Sequence, residues 1–237
     1  MICTICDQPI EDGQPRKRVA RTRDRYTHKA CRTASTTVPF ITAWSGEQHV
    51  EPLVVYRLLG GIGYSGEQPQ DRDSRGVLWL RRHAARGSGR PLYGDVHPGR
   101  QRLAMERLLC QVCGEPTDTD ERGVLWLLED ARTDWEGWPN ELLTTHPPIC
   151  RPCVSTARQE CPHMWRGSVL VRVGRSEVCA VWGRRYTPSR LGPVPIASAV
   201  VLFDSPLLGW TVASQLVRAL YECKIVSVDE ELSTARP

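Results

Sequence analysis

The clearest alternation of apolar and polar positions lies in the last third of the chain. The segment "GSVLVRVGRSEVCAVWGRRYTP" alternates with a period of two, which predicts a β-hairpin turning at residues 174–176, and "ASAVVLFD" predicts another strand. The segment "GWTVASQLVRALYECK" has the spacing of an amphipathic helix. Its apolar stripe consists of Ala213, Leu216, Val217 and Leu220. We therefore expect residues 166–237 to form a small sheet with a covering helix, followed by an acidic end that frays.

The pattern is weaker between residues 38 and 105. This stretch is rich in Gly, Pro and Arg, and its short strand-like runs are "PLVVYRLL" and "GVLWLRR". We expect a connecting region with short strands that is partly loop. One sequence occurs twice, as "GEQPQDRDSRGVLWL" at 66–80 and as "GEPTDTDERGVLWL" at 114–127. The repetition predicts a duplicated strand or hairpin.

Cysteine spacing adds candidate chemistry to this pattern. The chain has ten cysteines, and close cysteine pairs in a reducing compartment hold metal more often than they form disulfides. The pairs supply ligands for two four-coordinate zinc sites. The first predicted site is Cys3, Cys6, His28 and Cys31, and the second is Cys110, Cys113, Cys150 and Cys153. Four protein ligands fill tetrahedral zinc, so we expect both ions to be structural.

The segments between the ligand pairs predict how each site is built. The gap after Cys6 has the length and turn residues of a β-hairpin, and "RGVLWLLED" predicts a second hairpin before Cys150. Pro147 and Pro148 end any preceding element, and "CRPCVSTARQE" then predicts a helix that begins near the ligands. We therefore predict one zinc module over residues 1–37 and another over residues 106–165.

A knuckle, a hairpin and a helix that carry ligands in this order resemble a treble-clef zinc finger. The first module is similar to the zinc-binding half of a LIM-type finger, and the second to the four-cysteine scaffold of HNH-family nucleases. The likeness covers about residues 1–35 and 108–160, and "LCQVCG" and "HPPIC" also resemble uncharacterised actinobacterial or prophage-associated proteins. The resemblance implies an α+β fold with two small treble-clef modules, to which the predicted C-terminal sheet and its helix are added.

The HNH likeness implies a second, catalytic metal held by residues of the hairpin and the loop. Here the hairpin carries no histidine, and Val154 and Ser155 follow the last ligand where a catalytic histidine is expected. Without a general base the nuclease is the weaker alternative, and we lean towards a protein without catalytic activity. If a nuclease is present, its candidate residues are His146, Asn140, Glu129 and Asp130.

Charge points to a possible partner. The net charge is only +4, but all except three of the 31 cationic residues are arginine, and many of them crowd into two stretches. Arginine suits bidentate phosphate contacts, so we predict a face that binds nucleic acid, with DNA favoured. The candidate residues are Arg16, Lys17, Arg18, Arg21, Arg23, Arg25, Arg81, Arg82, Arg86, Arg100 and Arg102. A protein–protein adaptor is the alternative binding function.

Several other features limit the possible functions. The start of the chain does not match a signal peptide, and the longest apolar runs are too short to span a bilayer, so we expect a cytoplasmic protein without a membrane partner. The glycine pattern at 61–66 precedes a polar loop, which predicts no nucleotide cofactor. Two questions stay open, namely a third metal site and the choice between base stacking and core packing for five tryptophans. The candidates for a third metal site are Cys161, His163 and Cys179. The five tryptophans are Trp79, Trp126, Trp135, Trp138 and Trp165. No role is assigned to His49, His83 and His97.

Overall fold

A computed structural model describes residues 37–48, 50, 52–58 and 60–233, together with the backbone of two short N-terminal strands, Arg16–Arg18 and Tyr26–His28. The described part is an α+β fold with a mostly antiparallel sheet and three α-helices. The helices are α1 (Pro98–Arg107), α2 (Arg151–Glu160) and α3 (Val228–Ser233). None of the helices described is both long enough and apolar enough to cross a membrane.

Seven strands form the main sheet, and six short strands pair in twos outside it. The short pairs are β1 (Arg16–Arg18) with β2 (Tyr26–His28), β3 (Thr42–Trp44) with β7 (Pro91–Val96), and β4 (Val54–Tyr56) with β5 (Ile62–Tyr64). The main sheet contains β6 (Leu78–Trp79), β8 (Thr119–Asp120), β9 (Gly123–Glu129), β10 (Leu143–Thr144), β11 (Ser168–Thr187), β12 (Val194–Leu202) and β13 (Thr211–Val226).

The centre of the sheet is β11, a continuous strand of 20 residues. It pairs with β13 along one side, and on the other side it pairs first with β9 and then with β12. The predicted hairpin turn at 174–176 is therefore wrong. Gly174 lies inside the strand, where a Cβ atom would be 2.8 Å from a carboxylate oxygen of Glu222 on β13. The glycine permits a close approach of two strands instead of a reversal of the chain.

The predicted covering helix over "GWTVASQLVRALYECK" is also wrong, because this segment is β13. Eight of its first ten residues are buried, on both faces of the strand, since α1 packs against this part of the sheet and β11, β10 and β6 pair with its edges. A strand buried on both faces has an almost continuous apolar run, which periodicity does not distinguish from a helix.

The predicted fraying of the acidic end is wrong for residues 228–233. These residues form α3, and the carboxylate of Glu231 is 1% exposed. Helix α1 was not predicted. Four other elements confirm the sequence-based expectations, namely α2, the hairpin of β8 and β9, strand β12 and the pairing of β1 with β2. The main sheet takes strands from three of the four predicted regions.

Candidate metal centre

The first half of the site is a tight turn that holds Cys110 and Cys113. The amide of Cys110 donates to the carbonyl of Glu115 at 2.7 Å, and the amide of Gly114 donates back to the carbonyl of Cys110 at 2.8 Å. A further amide, from Val112, points at the sulfur of Cys110 at 3.4 Å. An amide directed at sulfur favours the thiolate form, which is the form that binds a metal.

The second half of the site is the start of helix α2. Cys150 has extended backbone angles at the N-cap position, and Cys153 lies in the first turn, where its amide donates to the carbonyl of Cys150 at 3.0 Å. The free amide groups and the positive dipole end of a helix N-terminus favour anionic sulfur. One backbone bond connects the halves, from the amide of Gln111 to the carbonyl of Pro148, and a second, from the amide of Ile149 to the carbonyl of Leu125, connects the start of α2 to β9.

The four sulfur atoms lie together, as the spacing predicted. All four Sγ atoms are within 4.8 Å of one another, and those of Cys113 and Cys150 are 3.6 Å apart. Zinc–sulfur bonds of about 2.3 Å in a tetrahedron place sulfur atoms about 3.8 Å apart, so the cluster has the size that one zinc ion needs. Cys110 and Cys150 are buried, Cys153 is half-buried and Cys113 is exposed.

Proton affinity differs among the four cysteines. Burial raises the pKa of Cys150 and raises the pKa of Cys153 to about 12. Burial would also raise the pKa of Cys113, but the amide of Glu115 and neighbouring thiols lower it below the usual range. Binding of a metal to all four thiolates therefore has to displace protons, and metal affinity should rise with pH.

The cysteines belong to a hydrophobic core as well as to a ligand set. Cys110 and Cys150 pack in one cluster with side chains from β9, β11 and α2. Residues from the end of the chain, Val226, Val228 and Leu232, pack against the same cluster. The site therefore connects the knuckle, the hairpin and α2 to the C-terminal helix α3.

A group of charges lies beside the cysteines, and we call it the arginine–carboxylate cluster. Its members are Arg122, Arg151, Arg172, Asp118, Asp120 and Glu231. Arg172 is fully buried and pairs with Glu231, which also accepts from Arg151 at 2.9 Å. Burial alone would raise the pKa of Glu231, but hydrogen bonds from Arg172 and Arg151 lower it. The sequence analysis did not identify this cluster.

Several arginines predicted to bind phosphate have partners within the protein. Arg100 on α1 is buried and gives two hydrogen bonds to Glu47, at 2.5 and 2.7 Å. Arg81 pairs with Asp71, and Arg82 pairs with Asp95 at 2.7 Å. These contacts leave Arg100 without an exposed face for phosphate.

The remaining candidates for phosphate binding differ in their surroundings. Arg86 lies over the ring of Phe40 and Arg102 over the ring of Trp79, at 5.6 and 4.8 Å from the ring centroids. The backbone of Arg16, Lys17 and Arg18 forms β1. Arg21, Arg23 and Arg25 lie outside the described residues, as do Cys3, Cys6 and Cys31 of the first predicted zinc site. His28, the fourth ligand of that site, is described by its backbone in β2.

The nuclease candidates do not form a second ligand cluster. Asn140 donates to the carbonyl of Gly137 and accepts from the amide of Cys223 at 2.9 Å, and Asp130 pairs with Arg132. His146 and Glu129 are exposed. Among the residues that the structure describes, the four cysteines are the one group of three or more potential ligands close enough to hold a metal ion. Neither the nuclease candidates nor Cys161, His163 and Cys179 form a second ligand group of this kind.

The histidines and tryptophans are placed as follows. His97 caps α1 by accepting from the amide of Arg100 at 3.3 Å, and burial lowers its pKa. His83 is exposed, and His49 lies outside the described residues. Three of the five tryptophans are buried in the core, namely Trp79, Trp126 and Trp138, while Trp135 and Trp165 are exposed.

The described part of the chain is therefore an α+β protein with one four-cysteine cluster that is close enough to hold a metal ion. Comparison with protein-family models, with curated proteins and with solved structures gave no match.

Proposed function

We propose that Cys110, Cys113, Cys150 and Cys153 hold one Zn²⁺ ion whose role is structural. The convergence of four thiol sulfurs within 4.8 Å carries this proposal. Four thiolates around one ion are typical of structural zinc, whereas Mg²⁺ and Ca²⁺ take oxygen ligands. Because the protein supplies all four ligands, the ion has no free position for water or substrate.

The position of the cysteines in the fold supports a structural role. The knuckle and the residues just before α2 are joined by one backbone hydrogen bond, and their shared core is a small cluster of apolar side chains. A core of this size stabilises a module weakly without a metal or another cross-link. Zinc supplies the missing stability, and through the same core it also holds the C-terminal helix α3.

Replacement of the native metal by Co²⁺ tests this assignment. Cobalt bound by four thiolates in a tetrahedron should give strong visible and near-ultraviolet absorption, with one equivalent of metal lost when Cys150 is changed to serine. The control is Cys161→Ser, which removes a thiol just beyond the end of α2 and should leave the spectrum unchanged. A weak octahedral spectrum, or tightly bound iron in the purified protein, would contradict structural zinc.

Nucleic-acid binding is the second candidate, now centred on the N-terminal stretch. The observation that favours it is strand β1, whose three residues are Arg16, Lys17 and Arg18. Changing all three to glutamate should lower affinity for DNA, and the slope of log affinity against log salt should fall by about 0.9 for each phosphate that the variant no longer neutralises. The exposed Arg132, changed to glutamate, is the control. Affinity that does not depend on salt would remove this candidate.

A further inference from the structure

The four cysteines of the metal centre differ in their access to solvent. Cys113 is exposed and Cys153 is half-buried, whereas Cys110 and Cys150 are buried. A cysteine that binds a metal does so as a thiolate, and exposed thiolates are the ones that oxidants in solution attack. Cys113 is therefore the ligand that combines a thiolate with open access to solvent.

A second sulfur atom lies close to that of Cys113. The Sγ atoms of Cys113 and Cys150 are 3.6 Å apart, although one residue belongs to the knuckle and the other is the N-cap of α2. Sulfur atoms at this separation need little movement to form a disulfide. Because Cys150 is buried, an oxidant in solution reaches Cys113 first, and Cys150 remains a thiolate that can react with the oxidised sulfur.

We propose that the four-cysteine site is a peroxide-sensitive redox switch, in which Cys113 is the cysteine attacked and Cys150 completes the disulfide. Oxidation releases the zinc ion, because a disulfide supplies no thiolate and only Cys110 and Cys153 then remain as ligands. This inference rests on the proposed zinc site and adds its regulation. Zinc is structural in the reduced protein and is lost when the protein is oxidised.

The reaction consumes hydrogen peroxide as the oxidant. In the first step the sulfur of Cys113 bonds to one peroxide oxygen and the O–O bond breaks, which gives a sulfenic acid and a hydroxide ion. The thiolate of Cys150 then attacks that sulfur, the S–S bond forms, and the S–O bond breaks with loss of a second hydroxide ion. Both hydroxide ions take protons from solvent and become water. Two electrons have passed from the thiolates to peroxide, and Zn²⁺ leaves with its charge unchanged.

The surroundings of the site favour a reversible reaction. The new disulfide joins the knuckle to α2, and the hydrogen bond from Gln111 to Pro148 and the shared apolar core hold the same two parts together. A dithiol such as dithiothreitol reduces the disulfide by exchange, becomes a cyclic disulfide itself and returns both thiolates to the site. Zinc then binds again. Reversibility separates such a switch from damage, in which sulfinic and sulfonic acids form and dithiothreitol does not restore the thiolates.

Zinc release from the full chain in hydrogen peroxide tests the proposal. A chromogenic chelator measures the released metal, and the signal of Cys150→Ser is subtracted so that zinc from the predicted first site cancels. We expect wild type to release one equivalent of zinc and to bind it again after treatment with dithiothreitol and added zinc. Disulfide mapping of the oxidised wild type by mass spectrometry should find Cys113 joined to Cys150.

Two histidine variants separate this route from oxidation at any other ligand. Histidine is also a zinc ligand, so Cys113→His and Cys153→His should each keep the ion. Cys113→His removes the exposed thiolate and should slow zinc release at least about tenfold, whereas Cys153→His should stay within about twofold of wild type. Cys161→Ser is the further control, and it should release zinc at the wild-type rate because its thiol is not a ligand.

Four results would overturn the proposal: equal release rates in the two histidine variants, a disulfide that does not include Cys113, zinc that stays bound in peroxide, or release that dithiothreitol does not reverse. If a histidine variant fails to bind zinc, the disulfide map of wild type decides the question. A wild-type chain that carries no zinc before peroxide is added would instead contradict the zinc assignment itself, so the two failures are distinguishable.

Discussion

The sequence D-x-R-G-V-L-W-L occurs twice in this protein, and the two copies begin with the same turn but end in different surroundings. In each copy the aspartate accepts a hydrogen bond of 2.9 Å from the amide of the arginine two residues later; Arg75 donates to Asp73, and Arg122 donates to Asp120. In each copy the glycine has a positive φ, 78° at Gly76 and 105° at Gly123. The repeated sequence therefore specifies a local turn.

The strand after each turn depends on distant partners. The first copy forms the two-residue strand β6 at the edge of the main sheet, and the indole of Trp79 donates back to Asp73. The second copy forms the seven-residue strand β9, which pairs with β11, and the indole of Trp126 donates to the carbonyl of His146. The second copy lies beside the four cysteines, whereas ion pairs such as Arg81–Asp71 hold the first. The same turn thus lies beside a candidate metal site in one copy and beside ion pairs in the other.

The largest expected effect comes from loss of a cysteine ligand near the second copy. Cys150→Ser should abolish metal binding at this site and unfold the surrounding module, because structural zinc contributes apparent binding energies of about 10–16 kcal/mol. Hydrogen exchange should then rise in β9, α2 and α3, while β6 and α1 keep their protection. Equal loss of protection near both copies would show that the metal stabilises the whole protein and not one copy.

The next effect comes from the arginine–carboxylate cluster beside the second copy. Glu231→Gln should lower the free energy of unfolding by about 3–5 kcal/mol, because Arg172 is buried and loses the charge of its partner. Glu230→Gln changes an exposed neighbour in the same helix and should have an effect close to zero. Chemical denaturation measures both variants, and similar values for the two would mean that α3 contributes little to the fold.

The region around α1 is held by an acid-sensitive charge, the buried carboxylate of Glu47 that pairs with Arg100. Burial alone would raise the pKa of Glu47, yet Arg100 and the amide of Trp44 lower it to about 2. Because this pKa is below the ordinary value of 4.5, the stabilisation is present at neutral pH and is lost as pH falls from about 4.5 towards 2. We expect Glu47→Gln to be less stable than wild type by about 3 kcal/mol at pH 7, and the difference should shrink in acid. A difference that stays constant with pH would contradict this assignment.

The smallest expected losses of stability come from replacing the glycine of each turn by alanine. A Cβ atom at Gly76 would meet no atom within 4 Å, so Gly76→Ala should cost about 1 kcal/mol from the positive φ alone. At Gly123 the added carbon would lie 2.0 Å from the carbonyl oxygen of Val173, so Gly123→Ala should cost about 3 kcal/mol by displacing β9 from β11. Thermal unfolding of both variants provides the measurement. Equal losses of stability would contradict the expected contact between the added carbon at Gly123 and the backbone of β11.

The parts of the fold that could be predicted are those that short sequences specify. The turn of the second copy, the start of α2 at Cys150 and the convergence of the four cysteines follow from residues within a few positions of each other or from ligand spacing. Strand β13 was not predictable in this way, because burial on both faces hides the alternation of a strand. Partners far apart in sequence were also hidden, since Arg172 and Glu231 are 59 positions apart.

The central claim is that the four cysteines hold one zinc ion, and native mass spectrometry of the full chain tests it most directly. Wild type should carry one zinc ion more than Cys150→Ser, while Cys161→Ser should keep the wild-type metal content. If the predicted first site, which includes Cys3 and Cys6, also binds zinc, the total in wild type is two and the Cys150 variant retains one. A wild-type chain without zinc, or a Cys150→Ser variant with the wild-type content, would contradict the account.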